Sequence, residues 1–333
     1  KIQLNSLYGA LANQYFRFYD DDIAEGITMT GQLVIRDTAK ALDNYMNKVC
    51  GTEDEMYSFY SDTDSCYVTC KNLVENFFPD KGVDKTVELL DKIGTDKIEP
   101  AIDQAMTKLA NYTNAFENKI FFKREVIADK GIFVAKKRYA LNVLDDEGLR
   151  LTKAKLKVMG LEIVRSSTPG PIRESLREAV RLILTSTQDE LHSFIETTKQ
   201  NFHTMTAEDI AFPRGCNNMA KYYSQADIYS KGTPIHVRGG LLYNYYVNKL
   251  DLNLKYEQIQ EGDKIKFLYL KEPNPLKENT VAFVTKLPKE FGLQKYIDYD
   301  LVFQKAFLDP LDNILKPIEW TTEPQASLED LFT

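Results

Sequence analysis

Residues 56–70 read Met56-Tyr57-Ser58-Phe59-Tyr60-Ser61-Asp62-Thr63-Asp64-Ser65-Cys66-Tyr67-Val68-Thr69-Cys70. Two β-rich runs, 56–60 and 66–70, flank the polar Asp62-Thr63-Asp64-Ser65, and that layout predicts a β-hairpin. Two carboxylates two residues apart at an apolar hairpin tip leave negative charge with little local compensation. Hard divalent cations such as Mg²⁺ take carboxylate oxygens in open, rigid settings of this kind. Asp and Ser are also favoured turn residues in their own right, and D-x-D is short and common, so taken alone these four residues read first as a plain turn.

Upstream, residues 1–16 carry Leu4, Leu7 and Leu11 at helical spacing, with Lys1, Asn5 and Tyr8 on another face. That second face offers an ammonium, an amide and a phenol, a set that grips an anion and a ring, or is simply a solvated helix face. Gly9 in mid-helix costs ~1 kcal/mol relative to Ala, which predicts close packing against it. A polar break at 17–22 precedes a long helix over 23–49, stopped by Cys50-Gly51.

Downstream, helical patterns at 84–94 and 101–116 lead to predicted strands at 120–128, 131–144 and 151–158. In the last, Lys153, Lys155 and Lys157 share one face, opposite Ala154, Leu156 and Val158. Together with Lys136-Lys137-Arg138-Tyr139, read here as strand, they form a basic face suited to phosphates or to keeping a sheet edge soluble. Ser166-Ser167-Thr168-Pro169-Gly170-Pro171 marks a domain boundary. Helices at 172–186 and 188–201 follow, and 233–305 reads as short strands and loops. In the tail, 318–333, Leu328, Leu331 and Phe332 stand at i, i+3 and i+4. Those anchors suit docking in a partner's groove or folding back on the chain's own domain.

The 333 residues amount to about two domains, and 43% hydrophobic with 27% charged side chains excludes a disordered or fibrous chain. No apolar run is long enough to span a membrane, and the start KIQLNSLYGA lacks a secretory layout. The four cysteines are too scattered for a disulfide framework or a zinc site, and a reducing cytosol fits them. The net charge of −7 argues against bulk attraction to nucleic acid, and residues 1–160 hold 22 basic against 25 acidic side chains. Nucleic-acid contact must therefore come from local patches.

Taken together these motifs resemble family B DNA polymerases, and within them the replicative polymerases of T4-like bacteriophages. Lys1-Ile2-Gln3-Leu4-Asn5-Ser6-Leu7-Tyr8-Gly9 is similar to the K-x-x-x-N-S-x-Y-G fingers motif. Asp62-Thr63-Asp64-Ser65 is similar to the D-T-D-S palm motif and Lys136-Lys137-Arg138-Tyr139 to the K-K-R-Y motif that touches DNA. Three motifs in the family's order make the resemblance specific. It extends to Lys157-Val158-Met159-Gly160, His236-Val237-Arg238-Gly239 and a clamp-binding-like tail.

The resemblance implies an α+β chain: an antiparallel palm sheet backed by helices, then a mixed, largely helical thumb of a right-hand polymerase. The end of a fingers helix would occupy 1–16, the palm 17–165, the thumb 166–317 and a clamp-binding tail 318–333. It implies DNA-directed nucleotidyl transfer with two Mg²⁺ ions, Mn²⁺ being an alternative, in the cytoplasm of an infected bacterial host. Asp64 and Asp62 would be the catalytic carboxylates, with Asp64 on both metals and Glu125 an acid close by. Two residues before Glu125 the sequence has Lys123 where the family pattern has an acid. Lys1 and Asn5 would meet the triphosphate of the incoming nucleotide, and Tyr8 and Gly9 the nascent base pair. Primer-template DNA would lie against Thr63, Lys136, Lys137, Arg138, Tyr139 and the Lys153/Lys155/Lys157 stripe. A sliding clamp would take Leu328, Leu331 and Phe332.

The family's D-x-x-S-L-Y-P-S motif, which supplies the other metal-binding aspartate, and the D-x-E exonuclease motif have no counterpart here. The expectation is therefore a chain inactive alone that needs an N-terminal polymerase segment or subunit. A natural split subunit, the second product of an interrupted gene and a truncated sequence all fit the missing half, and Lys1 in place of a start Met favours truncation, cleavage or splicing over independent translation. The competing reading is a non-catalytic module that binds DNA and clamp.

Overall fold

The computed structural model describes residues 2–324, with side chains from residue 6 onward. It forms two compact units: the described residues up to 128 with 143–154, and residues 129–142 with those from 155 on.

In the first unit, α1 (Ile2–Leu11) is shorter than the helix expected over 1–16. Asn13 ends it, because its side chain accepts from the backbone N–H of Tyr15 (3.0 Å) and offers the chain a turn in place of another helical bond. α2 (Asp21–Cys50) starts where Asp20 caps the Ile23 N–H at 2.9 Å. It stops at Gly51, whose φ of 69° is the left-handed conformation glycine adopts without penalty. The hairpin follows as β1 (Ser58–Asp62) and β2 (Ser65–Val68), antiparallel, with α3 (Lys71–Phe77) directly after it.

α4 (Val83–Ile93) and α5 (Glu99–Tyr112) are not separate helices, because one π-helical stretch, Gly94–Ile98, joins them without a break. Val34 and Leu42 of α2 pack on Ile102, Met106 and Leu109 of α5, while Met46 closes over Tyr57 and Leu73. Fully burying each such side chain contributes about 1.5–3 kcal/mol, so the helices form a firm backing on the α2 side of the hairpin.

Strands β3 (Val126–Ala135), β4 (Arg138–Asp146) and β5 (Leu149–Met159) form a sheet in that order. This corrects the strand pattern expected at 120–128 and 131–144. Residues 120–125 precede the sheet, and the chain reverses at Lys136-Lys137, where Lys137 takes a φ of 60°. Two-residue links join antiparallel neighbours only. The second such link, Glu147-Gly148, has φ of 52° and 86°, the doubly positive turn suited to the strand twist.

The second unit centres on α6 (Gly170–Thr185) and α7 (Gln188–Phe202), close to the ranges expected. Ile172, Leu176, Val180 and Leu191 are fully buried in one cluster with Phe283 and Phe307. The unit's larger described sheet is antiparallel, with Lys264–Tyr269 between β6 (Phe212–Gly215) and Thr280–Phe283. The helix Ile235–Lys249 contradicts the expectation of strands and loops across 233–305. Gly239-Gly240 makes the sequence look like a loop, but a Cβ on Gly239 would stand 2.9 Å from the backbone N of Ala282. The glycine lets this helix lie directly on the strand, and burial outweighs the helix penalty of about 1 kcal/mol.

Among the described residues, no helix is long and apolar enough to cross a membrane.

Candidate active site

The register Tyr60↔Tyr67, Ser61↔Cys66, Asp62↔Ser65 leaves Thr63-Asp64 as the two-residue tip of the hairpin. Thr63 holds a φ of 55°, outside the range a β-branched residue favours. Local bonds hold it there. The Asp64 N–H donates to the Asp62 carbonyl (2.6 Å), Thr63 Oγ1 to Asp62 Oδ1 (3.1 Å) and Ser65 Oγ to the Asp62 carbonyl (3.2 Å). Asp62 is half-buried and Asp64 exposed, and no hydrogen bond or ion pair engages the Asp64 carboxylate among the described residues. The tip thus presents one carboxylate braced by its own turn and another open to a ligand. Their oxygens are the donor type Mg²⁺ selects, and such sites commonly complete the shell with substrate phosphates.

Glu125 does not join them in a three-acid cluster. Among the described residues no group of three or more His, Cys, Asp or Glu side chains could hold a metal ion. Glu125 is exposed just before β3, and its carbonyl accepts from the Glu147 N–H (2.6 Å) beside the β4–β5 turn.

The basic motif splits into two kinds of residue. Lys136 and Lys137 stand exposed on the β3–β4 turn, not within a strand as the sequence suggested, because the left-handed φ at Lys137 breaks the extended run. Arg138 is held by both Glu162 oxygens (3.1 and 2.9 Å), and Tyr139, only 4% exposed, stacks on Phe133 with centroids 5.2 Å apart. Lys153 and Lys155 are exposed on β5 and Lys157 is half-buried, all three on one strand face.

On α1, Tyr8 is 44% exposed, and a Cβ on Gly9 would meet nothing within 4 Å. The close packing expected against Gly9 is therefore not supplied by the described residues, and the position has room for a ligand. Lys1, the Asn5 side chain and the Leu328, Leu331 and Phe332 anchors lie outside the described residues.

Arg124 was not singled out from the sequence. Its guanidinium binds Asp91 of α4 (2.5 Å) and the buried Asp145 of β4 (2.7 Å), and reaches the Glu125 carbonyl (3.3 Å). Its own N–H donates to Glu99 of α5 (3.0 Å). Arg124 thereby ties the continuous α4–α5 helix, on both sides of its π-helical stretch, to the strand that carries Asp145. Its acidic partners stand 21 to 33 residues away, so no local pattern could show them.

Residues 1–77, which contain both the 1–9 motif and the hairpin, match the family model of family B DNA polymerases. All of the chain aligns at 36% identity with the DNA-directed DNA polymerases of Escherichia phage RB69 and Enterobacteria phage T4. The chain resembles the C-terminal part of such a family B DNA polymerase. It spans 38% of the length of each phage polymerase. A DNA polymerase of Methanocaldococcus jannaschii is 26% identical over 94% of the chain, which covers 16% of that protein. The α+β architecture and its small antiparallel sheets are as expected from the resemblance.

Proposed function

We propose that this chain is the catalytic palm-and-thumb portion of a replicative DNA-directed DNA polymerase. One observation carries the reading: the hairpin tip of a chain that resembles family B polymerases presents Asp64 exposed and unengaged beside a braced Asp62. An unsatisfied carboxylate on a strained two-residue turn contributes little to folding. It is suited to holding a cation.

Asp64, with Asp62 beside it, would hold Mg²⁺ or Mn²⁺ with the help of triphosphate oxygens. When bound, two such ions activate the primer hydroxyl and neutralise the leaving pyrophosphate. Lys1 and Asn5 would orient the triphosphate by charge and hydrogen bonding. Tyr8, beside the open surface at Gly9, would lie against the nascent base pair. Lys136, Lys137, Lys153, Lys155 and Lys157 would meet primer-template phosphates, with Arg138 and Tyr139 bracing the turn and Thr63 close to the primer end. Glu125 would act as an accessory acid near the metals. The palm would comprise 17–165 and the thumb 166–317, with Leu328, Leu331 and Phe332 reaching a sliding clamp. The second metal-binding aspartate would come from an N-terminal polymerase segment, and the setting would be the infected bacterial cytoplasm.

Primer extension with Mg²⁺ and four deoxynucleoside triphosphates tests this, using the chain with and without an N-terminal segment carrying the D-x-x-S-L-Y-P-S motif. Extension only in the mixture, abolished by Asp64→Asn, is the expected result. Extension undiminished by Asp64→Asn would instead favour a DNA- and clamp-binding module.

A further inference from the structure

A carboxylate tip is useful only if its stem is fixed, and the stem of this hairpin is held by a side chain outside every motif. Asp43 lies on α2 and takes three hydrogen bonds from the root of β1. Its Oδ1 accepts from the N–H groups of Tyr57 (3.0 Å) and Ser58 (2.7 Å), and its Oδ2 from Ser58 Oγ (2.8 Å). One turn further along α2, Asn47 does the same for the loop before the strand. It donates to the Glu55 carbonyl (2.8 Å) and accepts from the Glu55 N–H (3.0 Å) and Thr52 Oγ1 (2.8 Å). One turn earlier, the Ala39 carbonyl meets Ser58 Oγ at 3.4 Å. Positions 39, 43 and 47 follow the i, i+4 repeat, so a single stripe of α2 fixes the path from Thr52 to Ser58.

The clamp sits where the hairpin needs it. The β1–β2 register shifts between Ser58 and Tyr60, and the Phe59 N–H folds back to the Tyr57 carbonyl (3.1 Å). A bulge of this kind bends a strand and weakens its ladder. α2 itself is a rigid rail, capped at both ends and packed through Val34, Leu42 and Met46. From Ser58 to Asp62 the strand runs roughly 13 Å, so a tilt of about 5° at the root moves the tip by about 1 Å. Displacements of that size cost ~10²-fold in rate at a catalytic constellation.

We propose that Asp43 is a positioning residue: it locks the bulged root of β1 to α2 and thereby sets where the Asp62 and Asp64 carboxylates stand. This rests on reading the hairpin as the metal-holding loop of the polymerase. Asp43 acts through the root of β1, where both of its oxygens accept hydrogen bonds.

Asp43→Ala and Asp43→Asn in the chain completed with its N-terminal segment test the assignment. Per folded molecule, Asp43→Ala is expected to lower kcat by about 10- to 100-fold. The Mg²⁺ requirement should rise several-fold while KM for the nucleotide stays constant. Asp43→Asn keeps the Oδ1 acceptor and can donate to Ser58 Oγ, so it should recover most of kcat. Wild-type kcat and Mg²⁺ dependence in Asp43→Ala, or equal damage in both variants, would overturn the proposal. Hydrogen exchange on the chain alone provides an independent reading. Asp43→Ala should speed exchange at Tyr57 and Ser58 by about 10-fold or more and leave the middle of α2 protected. Unchanged exchange at the root would also overturn it. If Asp64→Asn leaves extension intact while the root still loosens, the clamp stands and the functional reading fails.

Discussion

The first unit contains two sets of carboxylates that the fold treats in opposite ways. Around Arg124, Asp91 and Asp145 share one guanidinium and Glu99 takes the backbone N–H, with Asp145 only 1% exposed. At the hairpin tip, Asp62 is braced by its own turn and Asp64 projects with no partner among the described residues. The first arrangement is that of acids whose charge is used to hold elements together. The second leaves charge available to something outside the chain. Sequence distance explains part of the contrast. The tip carboxylates sit two residues apart on one turn, where Asp62 takes a hydrogen bond from the Thr63 hydroxyl, whereas Asp145 reaches a cation through the sheet.

The largest expected effect separates the two sets directly. Asp64→Asn should cut extension by the completed enzyme on the order of 10³-fold. It should leave stability within about 0.5 kcal/mol, the usual range for an exposed site. A large loss of stability in urea melts would contradict the claim that this acid carries no structural load. Arg124→Ala should do the reverse and destabilise the first unit by about 3–5 kcal/mol, because it strands the buried Asp145. A melting midpoint close to wild type would show that Arg150, 3.6 Å from Asp145, suffices as its partner.

The same contrast runs through the basic motif. Changing Lys136 and Lys137 together to Ala should weaken primer-template binding and lower the slope of log K against log salt by about 1.8, at about 0.9 per phosphate contact. Arg138→Ala should affect the slope less and stability more, since Glu162 already engages it. Equal slopes for the two variants, measured by anisotropy titration, would remove the distinction.

The smallest effect is one of pH. Burial pushes the Cys70 thiol up to about 11, and burial aided by Glu261 and Asp263 does the same for Cys216. These thiols stay protonated when folded but ionise above about 9 when unfolded. Their contribution to stability is therefore complete below pH 9 and is lost as pH rises towards 11. Urea melts at pH 7.5 and 10.5 should show the decline, and Cys70→Ala should flatten it. An equally steep decline in the variant would point to other groups.

The hairpin could be read from the sequence because its signal is local: alternating runs, a polar turn and two carboxylates within four residues. α2, α6 and α7 were equally legible, each having its apolar stripe and stop within its own length. The helix Ile235–Lys249 was not, because Gly239-Gly240 is a penalty locally and becomes an advantage only against the Thr280–Phe283 strand. Lys136-Lys137 read as strand because nothing in three successive cations announces a left-handed φ. Arg124 and Asp43 escaped for one reason, that the acids paired with Arg124 and the strand root held by Asp43 stand 14 or more residues away.

By itself, then, the sequence determined the chemistry on offer: which residues can hold a cation, meet phosphates or form a hairpin, since residue type and short-range spacing suffice for that. Tertiary structure alone decided which of the acids stay unpaired and what holds them in place. Charge compensation and backbone clamping depend on distance in space, and folding sets that distance independently of position along the chain.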